Sequence, residues 1–296
     1  MNKKIVKFNG GLGNQMFQYA FSLMLAEQFN AEIVFDFSYF ENVKSANQVT
    51  TREFELNVFN LCCKEATLKD LAAIKRPEFK SKFKNTLAKK FPQKFGINYV
   101  REKNNSVFDK NLFEYPEYYY YEGYFQNEKY FKHLRGNLLN KFSLQIPIDE
   151  KNQHILNKIR ETNSVSIHIR RGDYVSLDYV NKIHGLCPME YYKRAIESIA
   201  RHVRSPHFFL FSDDINWVIE NLKIEYPFTI VDFNLGKGWF DMNLMKQCKH
   251  NIIANSSFSW WGAWLNEYPE KIIIAPKNWT VKKQKCEIIP ANWQKI

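Results

Sequence analysis

The run Ser164-Val165-Ser166-Ile167-His168-Ile169-Arg170-Arg171-Gly172-Asp173-Tyr174 gathers an imidazole, two guanidiniums and a carboxylate. A guanidinium stays charged and holds phosphate oxygens through two parallel hydrogen bonds, so an anionic, phosphorylated ligand is its natural partner. Val165, Ile167 and Ile169 alternate with Ser166, His168 and Arg170, the period of a strand with one apolar and one polar face, and Gly172 ends it. A buried strand stopping there would deliver His168 and Arg170 to the edge of a sheet where open α/β sheets bind ligands. The alternative is an edge strand whose arginines are merely solvated.

Three further runs could meet the same ligand. Asn9-Gly10-Gly11-Leu12-Gly13-Asn14-Gln15 lies between a short strand and a helical apolar pattern, a layout in which glycines admit a phosphate close to the backbone and a helix N-terminus attracts it. Met16 stands where a dinucleotide fingerprint needs its third glycine, which argues against NAD. Phe211-Ser212-Asp213-Asp214 runs an apolar strand into two carboxylates that either bind ribose or guanine or cap the next helix. Asn255-Ser256-Ser257-Phe258 opens a helix and would seat a second phosphate, while Trp260 and Trp264 lie on one helix face, where they either stack on a base or sugar or, the safer reading, fill core. There is no Asp-x-Asp pair for a nucleotide-bound Mg²⁺ or Mn²⁺, no zinc spacing, no Walker loop and no nucleophile elbow.

The elements that must position these residues follow from periodicity. Strands are expected at Lys4 to Phe8, Ala31 to Phe37 and within Tyr118 to Gln126, with helices up to Phe29, from Thr67 to Ile74 and from Asn127 to Asn140. The second half alternates regularly, with helix Glu150 to Arg160, strand Val165 to Ile169, helix Met189 to Val203, strand Phe208 to Phe211 and helix Asp214 to Leu222. Strand Phe228 to Val231, helix Trp239 to Cys248, strand Ile252 to Ala254, helix Ser257 to Asn266 and strand Ile272 to Ala275 complete it. That rhythm predicts a parallel, doubly wound α/β sheet. Two domains are expected, residues 1–149 and 150–296, with the C-terminal tail able to pack back on the first.

At 296 residues the chain is long enough for two domains, and no run approaches the roughly 18 apolar residues that cross a bilayer. Neither a signal peptide nor an anchor is read, and the five scattered cysteines read as reduced, mostly buried thiols, so a cytoplasmic location is expected. Of the net charge of +11, the segment Lys75 to Lys110 supplies +8, from eleven Lys and Arg against Glu78, Glu102 and Asp109. Phe79, Phe83, Phe91 and Phe95 thread through it, so it offers either a basic amphipathic surface to the inner face of an anionic membrane or a solvated face over a small core. No nucleic-acid module is visible.

Taken in order, Gly10 to Ala20, Gly123 to Gln126, His168 to Tyr174, Phe211 to Asp214, Asp241 to Met245 and Asn255 to Trp261 resemble the successive motifs of the bacterial α-1,2-fucosyltransferases, glycosyltransferase family 11. The resemblance runs from Lys4 to about Trp279. It implies an α/β fold of GT-B type, in which two Rossmann-like domains face one another across a cleft, the N-terminal one acceptor-side and the C-terminal one holding the nucleotide. It implies inverting transfer of L-fucose from GDP-β-L-fucose to the 2-hydroxyl of a terminal β-galactoside, with no metal or other cofactor. GDP-fucose and a galactose-terminated glycan would then be the partners.

Carried over by position, Arg170 would bind the β-phosphate and stabilise the departing GDP. Arg171 would support the loop or touch the same diphosphate, and His168 would orient ribose or phosphate. Gly11, Gly13, Asn14 and Gln15 would meet the donor diphosphate, Asp213 the guanosine, and Asn255, Ser256, Ser257 and Phe258 the phosphates and base. Asp173 is the expected general base, with an ion pair to Arg171 as its alternative role. A nucleotide- or glycan-binding protein without turnover on the same scaffold is the second reading.

Overall fold

The structure is a computed structural model that describes residues 2–43, 52–76, 81, 84, 86–87, 92–114, 116, 119–176, 181–182, 185–281 and 285–296, with side chains at all of these except 42, 43, 92, 93, 173 and 176. Phe79, Phe83 and Phe91 of the basic segment lie outside the described residues. The chain divides into two compact units, Met1–Ser143 and Leu144–Ile296. Residues 144–149, expected with the first domain, belong to the second unit.

In the first unit, strands β1 (Lys3–Lys7), β2 (Glu32–Asp36), β3 (Tyr99–Arg101) and β4 (Tyr120–Glu122) form a parallel sheet in the order β2-β1-β4-β3. The order reverses between β1 and β4, so the loops that leave these two strands diverge and open a crevice at their C-terminal ends. The helix Leu12–Phe29 is apolar around most of its circumference and is correspondingly buried, with Met16, Phe17, Ala20, Phe21 and Leu25 fully enclosed. It ends at Asn30, which takes the left-handed conformation (φ 47°) and donates its amide to Ala26 O.

The helix expected over Asn127 to Asn140 is instead two 3₁₀ turns, Glu128–Tyr130 and Lys132–Leu134, followed by a helix only from Arg135 to Lys141. Asn127 caps the first turn by accepting from Lys129 N, and Phe131, at φ −141°, breaks the helix so that Tyr130 and Phe131 are both fully buried. Strand β3 interrupts the basic segment where no strand was expected.

The second unit carries β5 (Asn163–Ile169), β6 (Pro206–Ser212), β7 (Phe228–Val231), β8 (His250–Ile252), β9 (Ile273–Ala275) and β10 (Gln294–Lys295) in the order β10-β9-β8-β5-β6-β7, all parallel. Strand β5 is therefore interior, and the edge-strand alternative is overturned. Its polar face is buried too: Asn251 donates to Ser166 Oγ (2.7 Å) and Lys249 N to Ser164 Oγ (3.1 Å). Its apolar face, Val165, Ile167 and Ile169, packs with Tyr191, Ala195 and Ile199 of the Met189–His202 helix and with Val218 and Leu222. Burying each such aliphatic side chain contributes roughly 1.5–3 kcal/mol.

The C-terminal tail pairs within the second unit. Gln294 and Lys295 pair with Ile274 and Ala275 as β10, and Trp260 Nε1 donates to Ile288 O (2.8 Å). Trp260 and Trp264 stack within this core at 5.8 Å. The five cysteines are all unpaired, but only Cys248 is fully buried and Cys62 is exposed, so the expectation of mostly buried thiols is corrected. Among the described residues no helix is long and apolar enough to cross a membrane.

Candidate functional site

The register of β5 on β6 sets the chemistry of the second unit. Ile169 pairs with Ser212, so the next residue on each strand, Arg170 and Asp213, falls side by side just past the sheet edge. Arg170 Nη1 lies 2.6 Å from Asp213 Oδ2, and the other carboxylate oxygen accepts from the Arg171 amide at 2.8 Å. Gly172 leaves the room for this pair, since a Cβ there would come within 2.5 Å of Asp213 Oδ2. The strand order also reverses between β5 and β8, which places Arg170 and the Asn255 loop on either side of the crevice where such sheets bind ligands.

Arg171 is a brace. Its Nε donates to Asp214 Oδ2 (3.0 Å) and its guanidinium lies 3.5 Å from the centre of the Trp217 ring. Asp214 in turn caps the helix Ile215–Asn221 by accepting from Trp217 N. Of the two roles left open for the carboxylate pair, Asp214 takes the cap, while Asp213 pairs with Arg170, a role that neither reading gave it. The side chain of Asp173 lies outside the described residues.

His168 is enclosed behind Arg170, 4% exposed, and its Nδ1 has no hydrogen-bond partner among the described residues. Burial pushes its pKa down to about 4, against the pull of Asp213 and with the push of Arg170, so the imidazole is neutral at physiological pH. Its ring sits 5.4 Å from that of Phe258. Tyr174 links the arginine loop to the next one: Arg170 lies 5.7 Å from its ring centre and its hydroxyl donates to Asn255 O (3.1 Å).

Asn255 turns inward. Its Nδ2 donates to Gly185 O (3.1 Å) and Trp279 O (3.3 Å), and Cys187 Sγ donates to its Oδ1 (3.4 Å). Beyond it lies a cavity of about 520 Å³ bordered by Cys187, Arg194, Lys277 and Trp279. Ser256 caps the Ser257–Trp264 helix by accepting from Phe258 N, and Ser257 and Phe258 stay half-buried at its first turn.

In the first unit the glycine loop follows β1 at the corresponding place. Gly10 takes φ +75°, and a Cβ there would lie 2.4 Å from the Asn14 amide nitrogen, so glycine is needed for both reasons. Asn14 Oδ1 accepts from Gln126 Nε2 at 2.8 Å, a bond that joins the loops after β1 and β4 across the reversal of strand order. Gln15 is fully buried and serves the loop itself, donating to Gly10 O and Glu53 O and accepting from Glu55 N. The expected phosphate cradle is modified here, because the Leu12 amide at the helix start already donates to Glu55 Oε2 (3.0 Å). Burial raises the pKa of Glu55. Gly11 and Gly13 belong to the same turn, and the Arg52 guanidinium lies over Gly11, where a Cβ would stand 3.6 Å from its Nη1.

The residues brought together are thus Arg170, Asp213, Gly172, His168 and Phe258 in one unit and Gly11, Asn14, Gln126 and Arg52 in the other. Sequence reading missed the pairing roles of Asp213, Gln126 and Tyr174, which carried a signal only as members of motif runs, and missed Arg52 and Trp217 entirely.

The chain has relatives in sequence and in fold among known proteins. The chain is 34% identical over 303 residues to the Alpha-1,2-colitosyltransferase of Escherichia coli, a match covering 100% of this chain and 99% of that one. It is 29% identical over 156 residues to the Galactoside 2-alpha-L-fucosyltransferase SEC1 of Bos taurus, covering 50% of this chain and 42% of that protein. The structure of a variant of Arabidopsis thaliana FUT1 in complex with GDP covers 96% of this chain and is itself 73% covered, with a TM-score of 0.51 at 10% identity. That likeness is one of fold, α/β of the GT-B type. The model of glycosyl transferase family 11 matches residues 6–296, which takes in the glycine loop, the arginine strand and both serine and aspartate turns, and the chain belongs to that family.

Proposed function

We propose that the protein transfers L-fucose from GDP-β-L-fucose to the 2-hydroxyl of a terminal β-galactoside with inversion, without a metal. The observation that carries this reading is Arg170 at the tip of the central strand, its guanidinium oriented by Asp213 at a reversal of strand order. A cation held there would stabilise the negative charge that grows on the β-phosphate as GDP leaves, the part a divalent ion plays elsewhere. The transition state resembles an oxocarbenium ion, so the acceptor hydroxyl needs only late deprotonation, the role assigned to Asp173. His168, Ser256, Ser257 and Phe258 of the second unit are assigned to the nucleotide, and Gly11, Gly13 and Asn14 of the first to the donor diphosphate. Gln15, Arg171, Asp213 and Asn255 act by holding these in position.

A colitosyl donor is the second reading, favoured by the full-length likeness to the Alpha-1,2-colitosyltransferase. Turnover of GDP-fucose and GDP-colitose, each with lactose and with N-acetyllactosamine, separates them. The proposal expects faster turnover of GDP-fucose and an α-linkage at the galactose 2-hydroxyl in the product's NMR spectrum. A preference for GDP-colitose would transfer the assignment to the second reading, and GDP binding without turnover of either would remove both. Peripheral contact of the basic 75–110 segment with anionic lipid belongs to the proposal on its +8 charge. Vesicles of phosphatidylserine that leave the protein in the supernatant at low salt would remove it.

A further inference from the structure

Strand β3 emerges from the most basic part of the chain and is followed at once by an acid, Glu102. Glu102 is 7% exposed, and its Oε2 accepts from both Tyr124 N and Phe125 N, each at 2.8 Å. Its Oε1 is buried with no partner among the described residues. A buried carboxylate with one oxygen left unpaired is costly to fold in.

The turn it holds is strained and tight. Phe125 has φ +54°, a left-handed conformation that a bulky side chain rarely adopts. Gly123 lies against the acid, where a Cβ would come within 2.5 Å of Glu102 Cβ. The turn is tied on its other side by Gln18, whose Nε2 donates to Gly123 O (2.9 Å) and to Asn9 Oδ1 (3.0 Å). The next residue is Gln126, whose side-chain amide donates to Asn14 in the glycine loop.

We propose that Glu102 is a positioning residue for the glycine loop: by binding the Tyr124 and Phe125 amides it fixes the turn that aims Gln126 at Asn14, and so sets the loop for the nucleotide diphosphate. This rests on the assignment of Asn14 to the donor. Glu102 itself touches no substrate. Burial pushes its pKa up to about 7, so near neutrality the acid carries a proton part of the time, and Oε1, without a partner, is the oxygen that would hold it. A neutral acid still accepts through Oε2, and Glu102→Gln keeps that oxygen while Glu102→Leu removes it.

The test is GDP affinity by calorimetry, with thermal melting, for Glu102→Leu, Glu102→Gln, Asn14→Ala and the Glu102→Leu/Asn14→Ala pair. Glu102→Leu is expected to weaken GDP binding by about tenfold and Glu102→Gln by no more than about threefold. The double variant should be no weaker than the weaker single one, because both changes break one chain of contacts. A turn that served stability alone would move the melting temperature and leave GDP affinity and this non-additivity untouched. If Glu102→Leu does not fold, Gly123→Ala decides, since its Cβ presses on the same carboxylate: weakened GDP binding supports the inference and unchanged binding overturns it.

A folded Glu102→Leu that binds GDP like the wild type, beside an Asn14→Ala that does not, overturns the role of Glu102 and leaves the donor assignment standing. An Asn14→Ala variant with unchanged affinity overturns both.

Discussion

Arg170 and Asp213 lie 2.6 Å apart, one residue past the last paired positions of β5 and β6. Asp213 also accepts from the Arg171 amide, so one carboxylate fixes both the guanidinium and the backbone that carries it. Such a charge-assisted contact at the end of an interior strand is a rigid mount for a cation that must meet charge as it develops.

Gly172→Ala tests that mount without substituting either charged group. The added methyl would fall 2.5 Å from Asp213 Oδ2, and the pair must open to admit it. We expect kcat/KM to fall by about tenfold to a hundredfold while the melting temperature stays close to wild type. Unchanged kinetics would separate the pair from turnover.

His168 should titrate far below an ordinary histidine. Its folded pKa of about 4 lies under the ordinary value of about 6.5, so between these the unfolded chain binds the extra proton. Its contribution to stability is complete above about pH 6.5 and is lost as pH falls toward 4. Glu102 and Asp241, both raised to about 7 by burial, slope the other way. The imidazole is therefore followed directly by nitrogen-resolved NMR in wild type and His168→Gln. A signal that stays neutral at pH 6 is expected, and a midpoint near the ordinary value would contradict the buried neutral ring.

Arg171 and Trp217 should matter to stability more than to turnover. Removing either, as Arg171→Ala or Trp217→Ala, breaks a cation–π contact at 3.5 Å, and Arg171→Ala also removes the ion pair to Asp214. A loss of roughly 1–3 kcal/mol in urea unfolding is expected, with kcat within a few-fold of wild type. Arg171→Lys should not restore it, because an ammonium cannot both stack and reach Asp214. A large fall in kcat with unchanged stability would return Arg171 to the ligand.

The sequence made the two halves of this account unequally legible. Alternation in Val165 to Ile169 and the apolar run Phe208 to Phe211 located β5 and β6 because strand period is a local property. The same alternation could not say that the Ser166 face is buried, since that depends on the Asn251 side chain of β8 reaching across from more than eighty residues away. The pair Arg170–Asp213 is set by parallel register between distant strands and the pair Gln126–Asn14 by the adjacency of β1 and β4, neither of which local spacing encodes. Glu102 was hidden for a different reason, as one of three acids in a run of eleven cations that reads as surface. The helix expected through Asn127 to Asn140 failed where Tyr130 and Phe131 are pulled into the core at the expense of helical geometry.

In the proposed reaction Arg170 does the work of a metal at the leaving diphosphate. Release of GDP from GDP-fucose in the presence of EDTA, with and without lactose or N-acetyllactosamine, tests it in wild type and Arg170→Ala. Galactoside-dependent release is expected, which EDTA leaves intact and which Arg170→Ala lowers by about a hundredfold to a thousandfold, with GDP binding weakened. Release abolished by EDTA, or retained in Arg170→Ala, would contradict it.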